Sequence, residues 1–262
     1  MANKKKIFLI DGMALIYRAH YAMVYNPLIT SSGTYTSAVF GFISSLLKIL
    51  KDEKPDFLAI CSDTQAPTFR HIKYDDYKAN RKKMPDELQE QIPILYNIFE
   101  KSKIPLLKLD SYEADDIIGT FSKSIDSQVN HTYIVSGDKD LMQLVNSSIS
   151  VFSLGNKFKP TTIYNRQKVI EKWNLPPDKI VDYLALVGDA SDNIPGVEGV
   201  GPKTAVKLLN EFNNIENIFD SLDDIKNVKL KERLINNKSN AMLSKDLITL
   251  DLKVPIKYNL NE

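Results

Sequence analysis

Nine carboxylates fall in five short stretches of the 262-residue chain, and their types and spacing suit one kind of chemistry. "KIFLID" ends at Asp11 and "FLAICSD" at Asp63; "YEADDIIG" packs Glu113, Asp115 and Asp116 into four positions. "SGDKD" adds Asp138 and Asp140, and "GDASDNIPG" adds Asp189 and Asp192. Two like charges about 5 Å apart repel by roughly 3 kcal/mol at an effective dielectric near 20, so such crowding calls for a positive partner. A solvated acidic first turn, favoured by the helix dipole, accounts for one group taken alone. It does not account for five. With one cysteine, Cys61, and three scattered histidines, the donors are all oxygen, which points to Mg²⁺ or Mn²⁺ and excludes an internal disulfide or a cysteine-rich zinc site. Nine acids exceed the needs of one Mg²⁺; two ions about 4 Å apart would use them, as phosphoryl transfer by two metals requires. Glu113 and Asp116 share a helical face at i, i+3 while Asp115 points elsewhere, but side chains splay at a helix start. Spacing therefore leaves open which of Asp115 and Asp116 touches a metal.

Two stretches supply the counterweight. "TFRHIKYDDYKANRKKM" (68–84) sets Arg70, Lys73, Lys78, Arg81, Lys82 and Lys83 among Phe69, Tyr74 and Tyr77. Charge beside rings suits a nucleic-acid strand, with phosphates on the one and bases on the other. In "GVEGVGPKTAVKLLNEF", Gly199 and Gly201 permit a tight turn with close backbone approach. Pro202 suits a first helical turn whose free amides face a phosphate, with Lys203 and Lys207 assisting. Alone, the first would read as a solvated loop and the second as an ordinary interhelical turn. Each follows directly on proposed acidic ligands, which favours the binding reading. The net charge of +1 conceals the segregation: with the nine acids set aside, 24 acids face 34 Lys and Arg, a balance of +10. A basic surface around one acidic hole suits an enzyme acting on a polyanion.

The elements that must position these residues follow from pattern. Three short apolar runs, ending at Asp11, Asp63 and Asp138, read as buried strands. Between them, 36–50 reads as a helix with Val39, Phe40, Ile43, Leu46, Leu47 and Leu50 on one face. Residues 85–102 read as a helix that Pro93 kinks or interrupts. Alternating strands and helices predict a parallel, doubly wound α/β sheet, which binds ligands at the carboxyl ends of its strands. Beyond Ile163 the pattern turns mostly helical with short Asn, Pro or Gly loops, a subdomain packed on the sheet. At 43% hydrophobic and 26% charged the composition is that of a soluble globular protein. No apolar run approaches a membrane span, and "NKKKIFLID" is no signal peptide. A reducing cytoplasm is the expected setting.

Five motifs in order, "IDGMALIYRAHYA", "SDTQAPTFRHIKYDDYKANR", "YEADDIIG", "SGDKDLMQLV" and "LVGDASDNIPGVEGVGPKTA", carry a resemblance over nearly the whole chain. It resembles the 5′-nuclease (flap endonuclease) family, in particular the bacterial 5′–3′ exonuclease domain of the DNA polymerase I type. That resemblance implies a PIN/5′-nuclease-like catalytic domain over 1–162, with the basic segment at about 64–90 forming a helical arch or clamp. It implies a helical subdomain over 163–262 whose helix-three-turn-helix, about 180–220, grips duplex DNA and binds K⁺. Asp11, Asp63, Glu113, Asp115 and Asp116 match the first metal cluster, and Asp138, Asp140, Asp189 and Asp192 the second. Tyr17 matches a tyrosine that stacks on the terminal base. Arg18, Arg70, Lys78 and Arg81 match basic positions near the scissile phosphate and in the arch. Catalytic roles are thus expected of Lys78, Arg81, Tyr17 and Arg70. DNA contacts are expected of Arg18, Lys73, Tyr77, Lys82, Lys83, Gly199, Gly201, Lys203 and Lys207.

The implied activity is a Mg²⁺-dependent 5′–3′ exonuclease and flap endonuclease of replication and repair, with Mn²⁺ able to substitute. Its expected substrates are DNA flaps, nicks and free 5′ ends, and RNA primer–DNA hybrids. It is expected as a monomer in the bacterial cytoplasm, at the nucleoid, beside or covalently joined to a DNA polymerase. The chain ends at "LKVPIKYNLNE", near where the nuclease part of such a polymerase would end, so a stand-alone protein and a fragment both remain open. A non-catalytic junction-binding protein of the same fold and a PIN-type ribonuclease are the competing readings. The "GVEGVGPK" turn and the long basic segment speak against the ribonuclease.

Overall fold

The computed structural model describes residues 5–125, 128–156 and 158–258. The last four residues of "LKVPIKYNLNE" and the first two of "NKKKIFLID" lie outside the described residues. Strand β1 (Lys6–Asp11) shows how the sheet is built. Ile7 and Leu9 enter one core while Phe8 and Ile10 enter another, the alternation of a strand covered on both faces. Beside β1 lie β2 (Phe57–Cys61), then β3 (Leu106–Leu107); on its other side lie β4 (His131–Val135), β5 (Ile149–Ser153) and β6 (Thr162–Tyr164). The order β3-β2-β1-β4-β5-β6 reverses direction between β1 and β4, the topological switch point of a doubly wound sheet. Five strands are parallel; β6 runs antiparallel to β5, so the sheet is mixed rather than wholly parallel. Because β6 straddles 162/163, the sheet continues two residues past the boundary expected there.

On one face pack α1 (Gly12–Ala22), α2 (Ser37–Glu53) and, later in the chain, α5 (Ile92–Lys101). Gly12 lets α1 follow β1 at once: a Cβ there would meet the Cys61 carbonyl oxygen at 2.9 Å. Helix α2 buries Ala38, Phe42, Leu46 and Ile49, whereas Phe40, Leu47 and Leu50 face solvent. The face expected from the sequence was thus rotated, because a nearly continuous apolar run offers several equivalent stripes. Each buried Phe or Leu contributes about 1.5–3 kcal/mol, and Phe42 adds a ring contact to Phe99 at 5.0 Å. Between α2 and α5 come two short helices, α3 (Phe69–Lys73) and α4 (Asp86–Gln89). The 85–102 helix is therefore two helices, with Pro93 in the first turn of α5, where its missing N–H costs nothing.

The other face carries α6 (Ala114–Ser124), whose Ile117 and Phe121 share one continuous core with the helical C-terminal part. That part comprises α7 (Arg166–Trp173), α8 (Ile180–Val187), α9 (Pro202–Phe212), α10 (Ile215–Asp220), α11 (Val228–Asn236) and α12 (Lys238–Ile248). Its short loops work as caps: Asn165, Asn214 and Asn227 each accept a backbone N–H three residues on, at 3.0, 2.8 and 3.1 Å. Each cap contributes about 1 kcal/mol. Leu184, Leu208 and Leu247 complete the shared core, so the helices are packed on the sheet as expected. Among the described residues no helix is long and apolar enough to cross a membrane.

Candidate active site

Asp11 ends β1 and caps α1, its Oδ1 accepting the Ala14 N–H at 3.0 Å. Its Oδ2 accepts the Ser136 hydroxyl at 2.8 Å, and the same Ser136 oxygen accepts the Asp138 N–H at 3.0 Å. One hydroxyl therefore joins the ends of β1 and β4. Asp63, two residues past β2, accepts the Ala114 N–H at 2.7 Å and so fixes the start of α6. Glu113 is the N-cap of α6 and Asp115 sits in its first turn. Together with Asp192 these acids line a cleft of about 1260 Å³ over the carboxyl ends of β1, β2 and β4. Six of the nine expected acids thus meet there: Asp11, Asp63, Glu113, Asp115, Asp138 and Asp192.

The cluster is electrostatically strained. Burial pushes the Asp11 carboxyl up to about 6, with Asp63 and Asp138 adding to it against two hydrogen bonds that oppose it. Asp115 lies well above the ordinary carboxylate range, first through burial and then through Asp138, Asp11 and Asp63. Desolvation raises Asp63 as well, with Glu113 adding to it against the Ala114 N–H, Lys78 and Arg81. It also raises Asp138, with Asp192 and Asp189 adding to it against the Asp140 N–H and Lys139. Asp140, beside Asp138, reaches about 8 through burial, Asp138 and Asp189, and its buried Oδ1 has no hydrogen-bond partner. These acids raise one another across the floor and rim of an open cleft. Among the described residues no three of them converge as they stand into a closed metal cage. An all-oxygen, open, mutually repelling set nonetheless fits a divalent ion that keeps several of its own waters, as Mg²⁺ does.

Side-chain cations hold part of the set instead. Lys78 Nζ lies 2.7 Å from Glu113 Oε1 and 3.7 Å from Asp192 Oδ2, and Arg81 Nη2 lies 2.5 Å from Asp192 Oδ1. Both line the cleft, as does Tyr17, whose ring stacks on Tyr21 with centroids 6.2 Å apart. After α3 the basic segment turns down onto the loop ahead of α9. The Lys78 N–H donates to the Asp192 carbonyl at 2.9 Å and Asn80 Nδ2 to the Ala190 carbonyl at 2.6 Å. Lys78 itself takes φ +58°, a left-handed conformation, to make that turn.

Three assignments change. Arg70 is 1% exposed and forms a two-pronged ion pair with Asp116 at 2.7 and 2.8 Å. Neither faces the cleft, so Arg70 does not contact a phosphate and Asp116 is not placed to hold a metal. Tyr77 is buried too, its hydroxyl donating to Glu113 at 3.1 Å, so its ring is core rather than a stacking platform. Asp140 and Asp189 stand outside the cleft lining, next to Asp138; Asp189 is paired with Lys139 at 2.9 Å. Lys73 pairs with Asp246 at 2.5 Å, Lys83 with Asp86 at 3.1 Å, and the Arg18 guanidinium donates to the Gly155 carbonyl. Lys82, Lys203 and Lys207 are exposed. Of the two glycines, only Gly199 needs to be one, at φ +74° with the Arg233 guanidinium 2.7 Å from where a Cβ would stand; Gly201 has open space. Ser136, Lys139 and Arg233 were not singled out from sequence. The first two sit inside "SGDKD", where only the acids carry an obvious signal.

Two family models divide the chain between them. Residues 6–174 match the 5′–3′ exonuclease N-terminal resolvase-like domain, and residues 175–262 match the 5′–3′ exonuclease C-terminal SAM fold. The chain belongs to the 5′–3′ exonuclease family. This exonuclease-family chain is 41% identical over 262 residues to DNA polymerase I of Bacillus subtilis (strain 168), covering all of this chain and 29% of that protein. Against DNA polymerase I of Treponema pallidum (strain Nichols) it is 38% identical over 262 residues, again all of this chain and 26% of the other. The exonuclease chain thus spans less than a third of those polymerases. Among solved structures, a T5 5′-exonuclease with bound divalent metal ions (zinc) superposes with a TM-score of 0.79 at 24% identity, over 94% of this chain and 90% of that one. The catalytic core of Rad2 in complex with DNA substrate superposes at 0.61 and 14% identity, over 98% and 81%. At those identities the likeness is one of fold.

Proposed function

We propose that this chain hydrolyses phosphodiester bonds near the 5′ ends and flaps of DNA with the help of Mg²⁺, Mn²⁺ being able to substitute. The observation that carries the reading is geometric: six carboxylates from several elements meet at the switch point in one cleft rimmed by Lys78 and Arg81. Asp11, Asp63, Glu113 and Asp115 would hold the first ion, and Asp138, with Asp140, Asp189 and Asp192, the second. When bound, such ions lower the pKa of an attacking water and stabilise the leaving oxygen. The chain's own residues do the rest. Ser136 keeps Asp11 and Asp138 aligned. Lys78 and Arg81 exchange Glu113 and Asp192 for the phosphate and offset its developing charge. Tyr17 stacks on an unpaired terminal base.

In this reading residues 1–162 form the catalytic unit and 163–262 grip the duplex, with the loop between α8 and α9 against the backbone and K⁺ among its carbonyls. The protein works as a monomer in the cytoplasm at the nucleoid, trimming flaps, nicks and RNA primers in replication and repair. A DNA polymerase, joined to it or separate, fills the gap behind it.

Cleavage of 5′-labelled double-flap DNA and of a matched RNA flap, with a Mg²⁺ titration and with EDTA, tests this. A short 5′ product from the DNA flap, dependent on Mg²⁺, is expected. Firm flap binding with no cleavage across Mg²⁺ and Mn²⁺ would leave a junction-binding protein, and preference for the RNA flap would leave a ribonuclease.

A further inference from the structure

Arg70 is the largest fully buried side chain among the described residues, and its guanidinium is almost wholly spent. Nε donates to the Leu247 carbonyl at 2.7 Å, and Nη2 donates to Asp116 Oδ1 at 2.8 Å and the Thr249 carbonyl at 3.2 Å. Nη1 donates to Asp116 Oδ2 at 2.7 Å and stands 3.3 Å from Glu113 Oε2. Asp116 in turn accepts the Asp251 N–H at 2.9 Å and the Glu113 N–H at 3.2 Å. One ion pair therefore bolts together α3, the first turn of α6 and the stretch 247–251 that leaves α12. The first turn of α6 carries Glu113 and Asp115, two of the cleft acids. Helix α12 packs on α8, and its Ser244 hydroxyl accepts the Gly196 N–H at 3.0 Å in the loop that also carries Asp189 and Asp192.

We infer that the Arg70–Asp116 pair is a positioning device, holding Glu113 and Asp115 in register with the helical part so that the elements proposed to grip DNA and the acids proposed to cut it move as one. The inference rests on the nuclease reading. Physical chemistry favours direction over energy as the pair's role. A buried ion pair is seldom more stabilising than a well-packed neutral replacement, whereas a forked guanidinium fixes geometry in a way a point charge does not. Lysine at position 70 would keep the charge and lose the fork, since one ammonium cannot reach both Asp116 oxygens and the two carbonyls together.

The test compares the whole chain with Arg70→Lys and with the neutral, hydrogen-bonding pair Arg70→Gln/Asp116→Asn. Thermal unfolding, Mn²⁺ affinity by calorimetry, and kcat and KM on a DNA flap are read for each. Both variants are expected to unfold cooperatively, with Mn²⁺ affinity lower by about tenfold, kcat lower by about 10–100-fold, and KM nearly unchanged. Folded variants with wild-type Mn²⁺ affinity and kcat would overturn the inference. A second measurement needs no variant. If the acids and the tie are coupled, Mg²⁺ binding must in return steady the tie, slowing amide exchange in 247–254 of the wild type beyond any change in α11. No such slowing would also overturn it. A wild type that binds the ion but leaves flaps uncut would instead sink the nuclease reading, and the Mn²⁺ affinities and the exchange data would still decide this one.

Discussion

The Ser136 hydroxyl donates to Asp11 Oδ2 at 2.8 Å while accepting the Asp138 N–H at 3.0 Å, so a single small side chain joins two acids from opposite sides of the switch point. Ser136→Ala should release both. Flap cleavage is expected to fall about tenfold or more, as when the partner of a metal-holding carboxylate is lost. Stability in urea should fall by about 1–2 kcal/mol for the lost charge-assisted bond. Ser136→Thr keeps the hydroxyl and should recover most of the rate.

The strained acids make stability depend on pH with a definite sign. Carboxyls whose folded-state pKa is raised hold protons that the unfolded chain has already lost. Asp11 at about 6 and Asp140 at about 8 therefore contribute stability that is whole below about pH 4 and is lost as pH rises to about 8. In EDTA the melting temperature should fall across that window. With saturating Mg²⁺ the fall should shrink, because the ion supplies the missing charge. Melting curves from pH 4 to 8 in both conditions check this; a curve in EDTA that rises steadily to pH 8 would refute it.

Lys78 holds Glu113 from a left-handed backbone position, so side chain and backbone can be separated. Lys78→Gly relaxes the backbone and Lys78→Ala keeps it strained; both remove the ammonium. If the ammonium matters in the reaction, both should lose about 100-fold in kcat while flap affinity measured in Ca²⁺ changes far less. Recovery of the rate in Lys78→Gly alone would show that the ammonium acts by holding the left-handed turn in place rather than in the reaction.

The two glycines of "GVG" should behave differently. Gly199→Ala places a Cβ at φ +74° and against the Arg233 guanidinium, costing about 1–2 kcal/mol for the backbone alone, and should weaken duplex binding about tenfold. Gly201→Ala meets nothing within 4 Å and should bind as the wild type does. Fluorescence anisotropy with a nicked duplex distinguishes the two.

What the sequence made legible is what local pattern encodes. Apolar runs ending in aspartate marked β1, β2 and β4, because strands buried on both faces must be apolar until they surface, and ligands gather where they surface. Strands β3, β5 and β6 escaped: β3 and β6 are two and three residues long, and β5 does not run into an acid. The rotated face of α2 shows the limit of periodicity in a run with too few polar residues to break the tie. Arg70, Tyr77 and Asp116 show a deeper limit. Each looks like chemistry by residue type, yet each is buried with a partner 36 or 46 residues away, and no local signal reports such a pairing. Ser136 lay hidden for the opposite reason, since a lone serine after an apolar run looks inert until the strand ends are brought together.

The central claim is that the acids at the ends of β1 and β4 and at the start of α6 form one hydrolytic centre. Its most direct test is cleavage of a 5′-labelled double-flap DNA, in Mg²⁺ and in EDTA, by the wild type and by Asp115→Asn/Asp138→Asn. The account predicts a short 5′ product from the wild type in Mg²⁺ alone, and none from the variant, with flap affinity kept in both. A variant that cuts at the wild-type rate, or a wild type that binds flaps and cuts none, would contradict it.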